Sequence, residues 1–482
     1  MSFNWPKARL GDFCIKVGSG ATPKGGSSVY LEAGEICLIR SQNIYNEGFK
    51  SNGLVYIDKE SAQKLKNVVV EKDDVLINIT GDSVARVCLA PTHYLPARVN
   101  QHVAIVRPDP EEFDPGFLRL QLASPQMQAV LLGLASAGAT RNALTKGMLE
   151  SLELDKPPIE TQRAIGSFFG KIESKSELNN KANQTLEQMA QALFKSWFVD
   201  FDPVIDNALA AGNSIPEPLQ QRAEARTALF SQDCASETSP PNAAPPTRLP
   251  AATRALFPDS FEEHPELGWI PAGWECRTLG DDLNIKHGFA FKGEYFSTEK
   301  TPDILVTPGN FKIGGGIKLD KLKYYSGPVS EDYVLESGDL VVTMTDLSKE
   351  ADTLGYPALI PDAEDVRFLH NQRIGKIQVK DNHQILNYLY QYMRSHSYRS
   401  EVLSSFTGST VKHTAPKKLM AIHRAYSLHV AKKFSLMVQP ILDMHNYNLA
   451  ENERLMQLRN TLLPKLLSGE LTLPEATGNS HA

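Results

Sequence analysis

Few residue patterns in this chain of 482 residues could carry catalysis. The run Gly18-Ser19-Gly20-Ala21-Thr22-Pro23-Lys24-Gly25-Gly26-Ser27 has the glycines of a phosphate cradle. It lacks the Gly-Lys-Ser/Thr ending and the strand-turn-helix setting that would aim backbone N–H groups at a phosphate, so it reads as a surface loop. A metal-dependent nuclease needs clustered carboxylates with a lysine close by. Pro361-Asp362 followed by Gln378-Val379-Lys380 only echoes that arrangement, and the first half of the chain has no counterpart. No Asn-Pro-Pro-Tyr-like tetrapeptide for holding a flipped base, no Gly-x-Ser-x-Gly elbow and no His-Glu-x-x-His pair occurs. The five cysteines (Cys14, Cys37, Cys88, Cys234, Cys276) lie far apart with no Cys-x-x-Cys pair, which points to reduced structural thiols. No catalytic, cofactor or metal residues are therefore expected in this chain.

With 41% hydrophobic and 22% charged residues, the chain has the composition of a soluble protein of about two or three domains. It shows no leader-like apolar start and no run near the ~18 apolar residues a membrane span needs, so a cytoplasmic location is expected, with no membrane partner. The net charge of −6 argues against nucleic acid until its distribution is considered. Residues 201–270 hold ten acidic and four basic side chains, which leaves the remainder neutral. Residues 384–440 hold eight Lys or Arg against the single acid Glu401, interleaved with Tyr388, Tyr390, Tyr392, Tyr398 and Tyr426, a candidate basic and aromatic surface.

The elements that would position any site are built twice. Leu10-Gly11-Asp12 recurs as Leu279-Gly280-Asp281, and Asp74-Val75-Leu76-Ile77 recurs as Asp339-Leu340-Val341-Val342. Asn100-Gln101 returns as Asn371-Gln372, and Gly138-Ala139-Thr140 as Gly408-Ser409-Thr410. The four offsets lie between 265 and 271 in unchanged order, the mark of a tandem duplication with diverged halves. A seven-residue spacing picks out Ile165, Ile172, Asn179, Leu186 and Leu193 in the first half. It picks out Phe434, Ile441, Asn448, Leu455 and Leu462 in the second. Phe168, Ala182 and Met189 in one helix, and Met437, Met444 and Leu458 in the other, supply the second position of an apolar seam. Each half is thus expected to end in a long coiled-coil-like helix. The asparagine in each seam specifies register, because a buried amide pairs well in one alignment only.

Short β-type runs (Gly34 to Ile39, Asp74 to Thr80, Val103 to Val106, Asp339 to Thr345, Ile374 to Val379) alternate with Gly-rich turns. Helical segments follow near Phe117 to Leu134 and Asn387 to Leu403. The fold class is α+β (mixed α/β): two tandem domains, each followed by a long helix, with the two helices packing as an antiparallel coiled coil. The expected boundaries are a first domain at 1–155, helix at 156–202, connector at 203–268, second domain at 269–428, helix at 429–470 and flexible tail at 471–482. Residues 207–258 contain 12 Ala and 8 Pro, so most of this connector is expected to be exposed, with Leu219 to Phe230 as a short helical piece.

Several segments resemble those of type I restriction-modification specificity subunits. They include LIRSQNI (38–44), DDVLINITGDSVARV (73–87), NQHVAIVRP (100–108), GATRNALTKGMLESLELDKPPIETQRAI (138–165) and ALFKSWFVDFDPV (192–204). The second half adds LFPDSFEEHPELGWIPAGWECRTLGD (256–281), NQRIGKIQV (371–379), GSTVKHTAPKKL (408–419) and LRNTLLPKLLSGEL (458–471). The resemblance implies two target-recognition domains, each reading half of a split site in double-stranded DNA, separated by two antiparallel helices. It also implies methyltransferase subunits that dock on the complex and methylate adenine, and a restriction and translocation subunit that can join to cleave. S-adenosylmethionine, ATP and magnesium would then belong to those partners. The second half departs from the first: GDSVAR has no close match near Thr345-Asp346-Leu347, and PPIETQRAI is replaced by YSLHVAKKF.

Reading in the major groove favours Arg on guanine and Asn or Gln on adenine. The candidate DNA contacts are Arg40, Gln42, Asn43, Ser83 and Arg86 in the first domain and Lys312, Thr345, Asp346, Arg373 and Lys412 in the second. The seam residues named above are the candidates for helix pairing and partner docking. Two other readings stay open at this point: the recognition part of a single-chain restriction-methylation enzyme, and a coiled-coil scaffold that never touches DNA.

Overall fold

The computed structural model describes residues 5–136, 142–235, 249–363, 365–380 and 383–473. The Gly138-Ala139-Thr140 repeat, Pro240-Pro241, Pro245-Pro246 and the tail from 474 lie outside them. The chain divides into two compact units, Met1–Leu178 with Glu451–Ala482, and Asn179–Ala450. Both divisions fall inside the long helices, Ile159–Phe198 and Leu428–Leu467.

Each unit carries the same pair of sheets. In the first, one sheet runs Cys14–Ser19, Val103–Pro108, Val75–Asn78, Val87–Leu89. The other runs Val55–Ile57, Ile36–Ile39, Ala97–Val99, Val69–Val70, with Ala97–Val99 parallel to Cys37–Ile39. The second unit repeats the order in Leu283–His287, Ile374–Val379, Leu340–Thr343, Pro357–Leu359. Its second sheet runs Lys323–Tyr325, Asp303–Val306, Arg367–His370, Val334–Leu335, extended at one edge by Phe296–Ser297, and its parallel pair sets Ile304 beside Phe368. The central strands are buried along their whole length, as their continuous β-branched and aliphatic runs require. The expected helices form as Pro115–Ala123 and Pro125–Ser136, and as Leu386–Tyr392 and His396–Ser405.

The duplication extends to single hydrogen bonds. Asp74 and Asp339 each accept from the backbone N–H three residues before, of Glu71 and Glu336. Asn100 and Asn371 each accept from the N–H two residues on, of His102 and Arg373. Gly20 and Gly288 each pass so close to the next strand that a Cβ would lie within 2.4 Å of carbonyl oxygens, of Val99 and Asn100 or of His370 and Asn371. The turn after the central strand is longer in the second unit, from Met344 to Gly355 against Ile79 to Ala85, which is why GDSVAR finds no match there. Both turns close on a positive φ, 70° at Ala85 and 77° at Gly355.

Within each unit the two long helices pack on each other in antiparallel sense. In the first, Ile165, Phe169 and Ile172 share one core with Leu455, Leu462, Leu463 and Leu466, and Lys175 pairs with Glu451 at 3.0 Å. In the second, Leu193, Phe194 and Trp197 share a core with Phe434, Val438 and Ile441. Leu186 is half-buried, while Asn179 and Asn448 are buried. The second seam position differs from expectation. Met189, Met444 and Leu458 are exposed, and the buried line runs four residues after each heptad position instead of three, through Phe169, Asn183, Ala190, Trp197 and Val438. A helix that covers a domain core as well as a partner helix buries a wider stripe than a two-helix seam does.

The connector is also more folded than its composition suggests. Asp202–Ala211 is a helix whose Val204, Ile205 and Ala208 are fully buried. Asp202 accepts from Arg222 Nε at 2.6 Å, and Asp206 from Arg226 Nε at 2.9 Å, which ties this helix to Gln220–Ala235. Phe257 packs edge-on against Trp197 at 5.0 Å, and Phe261–His264 pairs with Gly268–Pro271. Alanine-rich helices need few large side chains when ion pairs join them, so composition alone understates the order.

Candidate nucleic-acid interface

In the first unit, loops at one end of the parallel strand pair are tied into a single surface. Asn78, wholly buried, donates to Ser41 O at 2.9 Å and to Ser83 Oγ at 3.1 Å. Val87 N–H donates to Asn46 Oδ1 at 2.9 Å. Tyr45 lies between two cations, with Lys50 Nζ 4.1 Å and the Arg86 guanidinium 4.8 Å from its ring centre. Arg40 Nη2 and Gln42 Nε2 both donate to Gly53 O, at 2.5 and 2.9 Å. Arg40, Gln42, Ser83 and Arg86 are thereby brought together. Behind them Thr22, Gln101, His102 and Thr80 form a hydrogen-bonded chain that includes Thr80 Oγ1 to His102 Nδ1 at 2.5 Å.

Asn43 is not part of that surface. It is fully buried, accepting from Arg40 N–H at 3.1 Å and donating to Lys50 O and Asn52 O. Asn310 does the same for Thr307, Lys318 and Lys321, so both asparagines are braces that fix a loop and have no free edge for a base. This pairing was open to detection as one more repeat, but the residues around it have diverged.

In the second unit, Lys312 and Arg373 are exposed at the ends of equivalent loops. The other three candidates are used internally. Asp346 accepts from Ser348 N–H and Thr353 N–H at 2.6 Å; burial pushes its carboxyl up, but the bonds from Thr353 and Ser348 outweigh this and hold it below the ordinary carboxylate range. Lys412 donates to Ser348 O at 2.6 Å, and Thr345 shares a hydrogen bond of 3.1 Å with His413 Nδ1. All three are buried, because the longer turn needs its own internal bonds. The tyrosines Tyr388, Tyr390, Tyr392, Tyr398 and Tyr426 are buried too. Tyr388, Tyr392 and Tyr426 pack around Arg424, itself 4.7 Å from the Tyr426 ring, and all five tyrosines belong to a core instead of a basic, aromatic surface.

Two groups that sequence reasoning missed hold the loop tips from behind. Arg119, on the helix Pro115–Ala123, donates to both carboxylate oxygens of Glu173 at 2.6 and 2.5 Å and reaches Asn46 O at 3.4 Å. Arg394 donates to Gly314 O at 2.8 Å and to Glu187 Oε2 at 3.2 Å. Glu187 also bonds His445 Nε2 at 3.1 Å, and the His445 bond, with help from Arg394 and against burial, lowers its pKa to about 2. An arginine in such a sequence carries no signal that separates a brace from a phosphate contact. Among the described residues no group of three or more His, Cys, Asp or Glu could hold a metal ion, and no helix is long and apolar enough to cross a membrane.

Comparison with known proteins agrees with this duplicated architecture. Residues 3–188 match the type I restriction modification DNA specificity domain. The HindI type I restriction enzyme specificity subunit of Haemophilus influenzae is 29% identical over 77% of this chain and 81% of its own length. The chain is similar to the type I restriction-modification specificity subunits. The MjaIX specificity subunit of Methanocaldococcus jannaschii is 22% identical over 70% of this chain and 65% of its own. The fold is shared with the S subunit of a type I restriction-modification system from M. genitalium, at a TM-score of 0.53 and 15% identity, with 98% of this chain and 97% of that one aligned. The similarity thus falls on a chain built from two copies of one scaffold.

Proposed function

We propose that this specificity subunit reads a bipartite site in double-stranded DNA, one half-site per unit, and directs adenine methylation by partner methyltransferase subunits. A restriction and translocation subunit joins the complex to cleave unmethylated DNA. S-adenosylmethionine, ATP and magnesium serve those partners; this chain performs no chemistry and works in the cytoplasm. The observation that carries the reading is the contrast between identical braces and unlike loops. Asn43 matches Asn310, Asn100 matches Asn371 and Asp74 matches Asp339, while the position of Arg40 holds Thr307 in the other copy, that of Gln42 holds Gly309 and that of His102 holds Arg373. A scaffold kept while its exposed polar groups change suits two readers of different sequences. Exposed apolar residues on the long helices, Leu178 and Met456 in the first unit and Leu436, Met444 and Tyr447 in the second, offer surface for the methyltransferase subunits.

Residues 1–155 and 269–428 are taken as the two target-recognition domains. Exchanging residues 1–155 for those of a relative, then sequencing the methylated sites of cells carrying the hybrid, is expected to change one half of the motif and leave the other. A hybrid in which both halves change together refutes one half-site per unit.

A further inference from the structure

Each unit presents one hairpin tip that carries solvent-facing side chains. In the second, Ile313 is 72% exposed and sits between exposed Lys312 and the glycines 314, 315 and 316, all at φ between 86° and 95°. The tip is nonetheless firmly held. Lys312 N–H donates to Gly316 O at 2.9 Å, Gly316 N–H to Pro357 O at 2.8 Å, and Phe311 bridges Ile317 at its base. In the first unit the equivalent hairpin, Ile44–Tyr45 paired with Gly48–Phe49, bears the Lys50-Tyr45-Arg86 stack. Cationic side chains beside an exposed apolar or aromatic one suit the edge of a nucleic-acid groove, with the cations for phosphates or guanine and the apolar group for a thymine methyl or a base step.

Both tips are braced by a buried arginine through a backbone carbonyl, Asn46 O by Arg119 and Gly314 O by Arg394. The two arginines are each about 95% buried, and each is anchored by a glutamate of the long helix Ile159–Phe198. They do not occupy equivalent positions. Ser124 and Ser395 cap the following helices in the same way, toward Met127 and Tyr398, which aligns Arg119 with Tyr390 and Arg394 with Ala123. The same brace is thus reached from two different turns of the helix. A buried guanidinium is expensive to desolvate, and its repetition from different positions points to a tip that must not move.

We propose that the tips Tyr45–Gly48, with Lys50 and Arg86, and Lys312–Gly316 enter the DNA as the sequence-discriminating element of each half-site, with Arg119 and Arg394 as positioning residues. This rests on the bipartite reading above. The test is selection by the full chain from a library of random DNA duplexes, with bound sequences counted. Wild type enriches a two-part motif. Lys312→Ser/Ile313→Ser loses roughly ten- to hundred-fold discrimination at positions of one half only, and Tyr45→Ala/Arg86→Ala does so at positions of the other. Arg394→Gln relaxes the same positions as the Lys312/Ile313 variant, while the half read by the first unit stays intact and shows the chain to be folded. A two-part motif that survives both tip variants unchanged overturns this proposal alone. So does an Arg394 variant that weakens all sequences equally. No motif from wild type overturns it together with the bipartite reading.

Discussion

Asn183 and Asn448 form a buried amide pair in the helix seam, with Asn448 Nδ2 donating to Asn183 Oδ1 at 2.8 Å and Asn183 Nδ2 donating to His445 O at 3.2 Å. Replacing Asn183 by Leu leaves the Asn448 amide facing hydrocarbon and removes the donor from the His445 carbonyl. A stranded buried polar group costs about 1–3 kcal/mol, so each single variant, Asn183→Leu or Asn448→Leu, should destabilise the second unit by that amount. The double leucine variant strands no polar group, since the His445 carbonyl keeps its bond within the helix Leu428–Leu467, and gains apolar burial, so it should recover wild-type stability or exceed it while register is specified less tightly. The coupling between the sites should therefore reach at least ~1 kcal/mol. Three of the four tryptophans, Trp197, Trp269 and Trp274, lie in the second unit and Trp5 in the first, so in a Trp5→Phe background tryptophan fluorescence during urea unfolding follows the second unit, and only that transition should be fitted. Two neutral singles, or a double variant that loses the sum of both, would refute the reasoning.

Burial lowers the His370 pKa to about 4, below the ordinary 6.5, so the unfolded chain binds the extra proton first and stability should fall as pH drops from about 6.5 towards 4. That loss amounts to roughly 3 kcal/mol at 1.36 kcal/mol per unit, and His370→Val, which copies Val99 of the first unit, should remove this part of the pH dependence in chemical denaturation. Glu187 runs in the opposite sense: its carboxylate contributes stability above about pH 4.5 that is lost as pH falls through about 2. A third of the side chain meets solvent, which reduces its worth to about 1–2 kcal/mol, and Glu187→Gln should show that loss at neutral pH and only a small part of it at pH 2. Gly20→Ala should disorder the loops of the first unit, because its Cβ would stand 2.2 Å from Asn100 O. DNA selection should then lose one half-motif and keep the other; a variant that keeps both refutes the close approach.

The duplication, the long helices and the strand runs were legible because each rests on a repeated local pattern. Phe434 and Asn448 sit where the heptad spacing puts them. The amide partner of Asn448 is Asn183, four residues beyond the Asn179 that the heptad spacing picks out, and nothing in that spacing marks it. Among the candidate contacts, the sequence could not separate Arg86, on the surface, from Asn43 or Asp346, turned inward, because residue type is the same for a base reader and a turn brace. The tyrosines of 388–426 looked like an exposed basic and aromatic stripe because the interior ion pair between Arg424 and Asp282 lies 142 residues apart in the chain. No window of sequence contains both partners.

The first unit takes its core from both ends of the chain: Phe117, Ile165 and Phe169 pack with Leu466 and Leu467. The second is continuous, from Asn179 to Ala450. During synthesis at about 5–20 residues per second, everything needed for the second unit leaves the ribosome before the last helix turns of the first. The half made earliest therefore waits longest, its apolar helix face open to chaperones until residues 451–467 arrive. Nascent chains in which residue 450 has just cleared the ribosome should protect the later half from protease before the earlier one, an inversion of the usual N-terminal-first order.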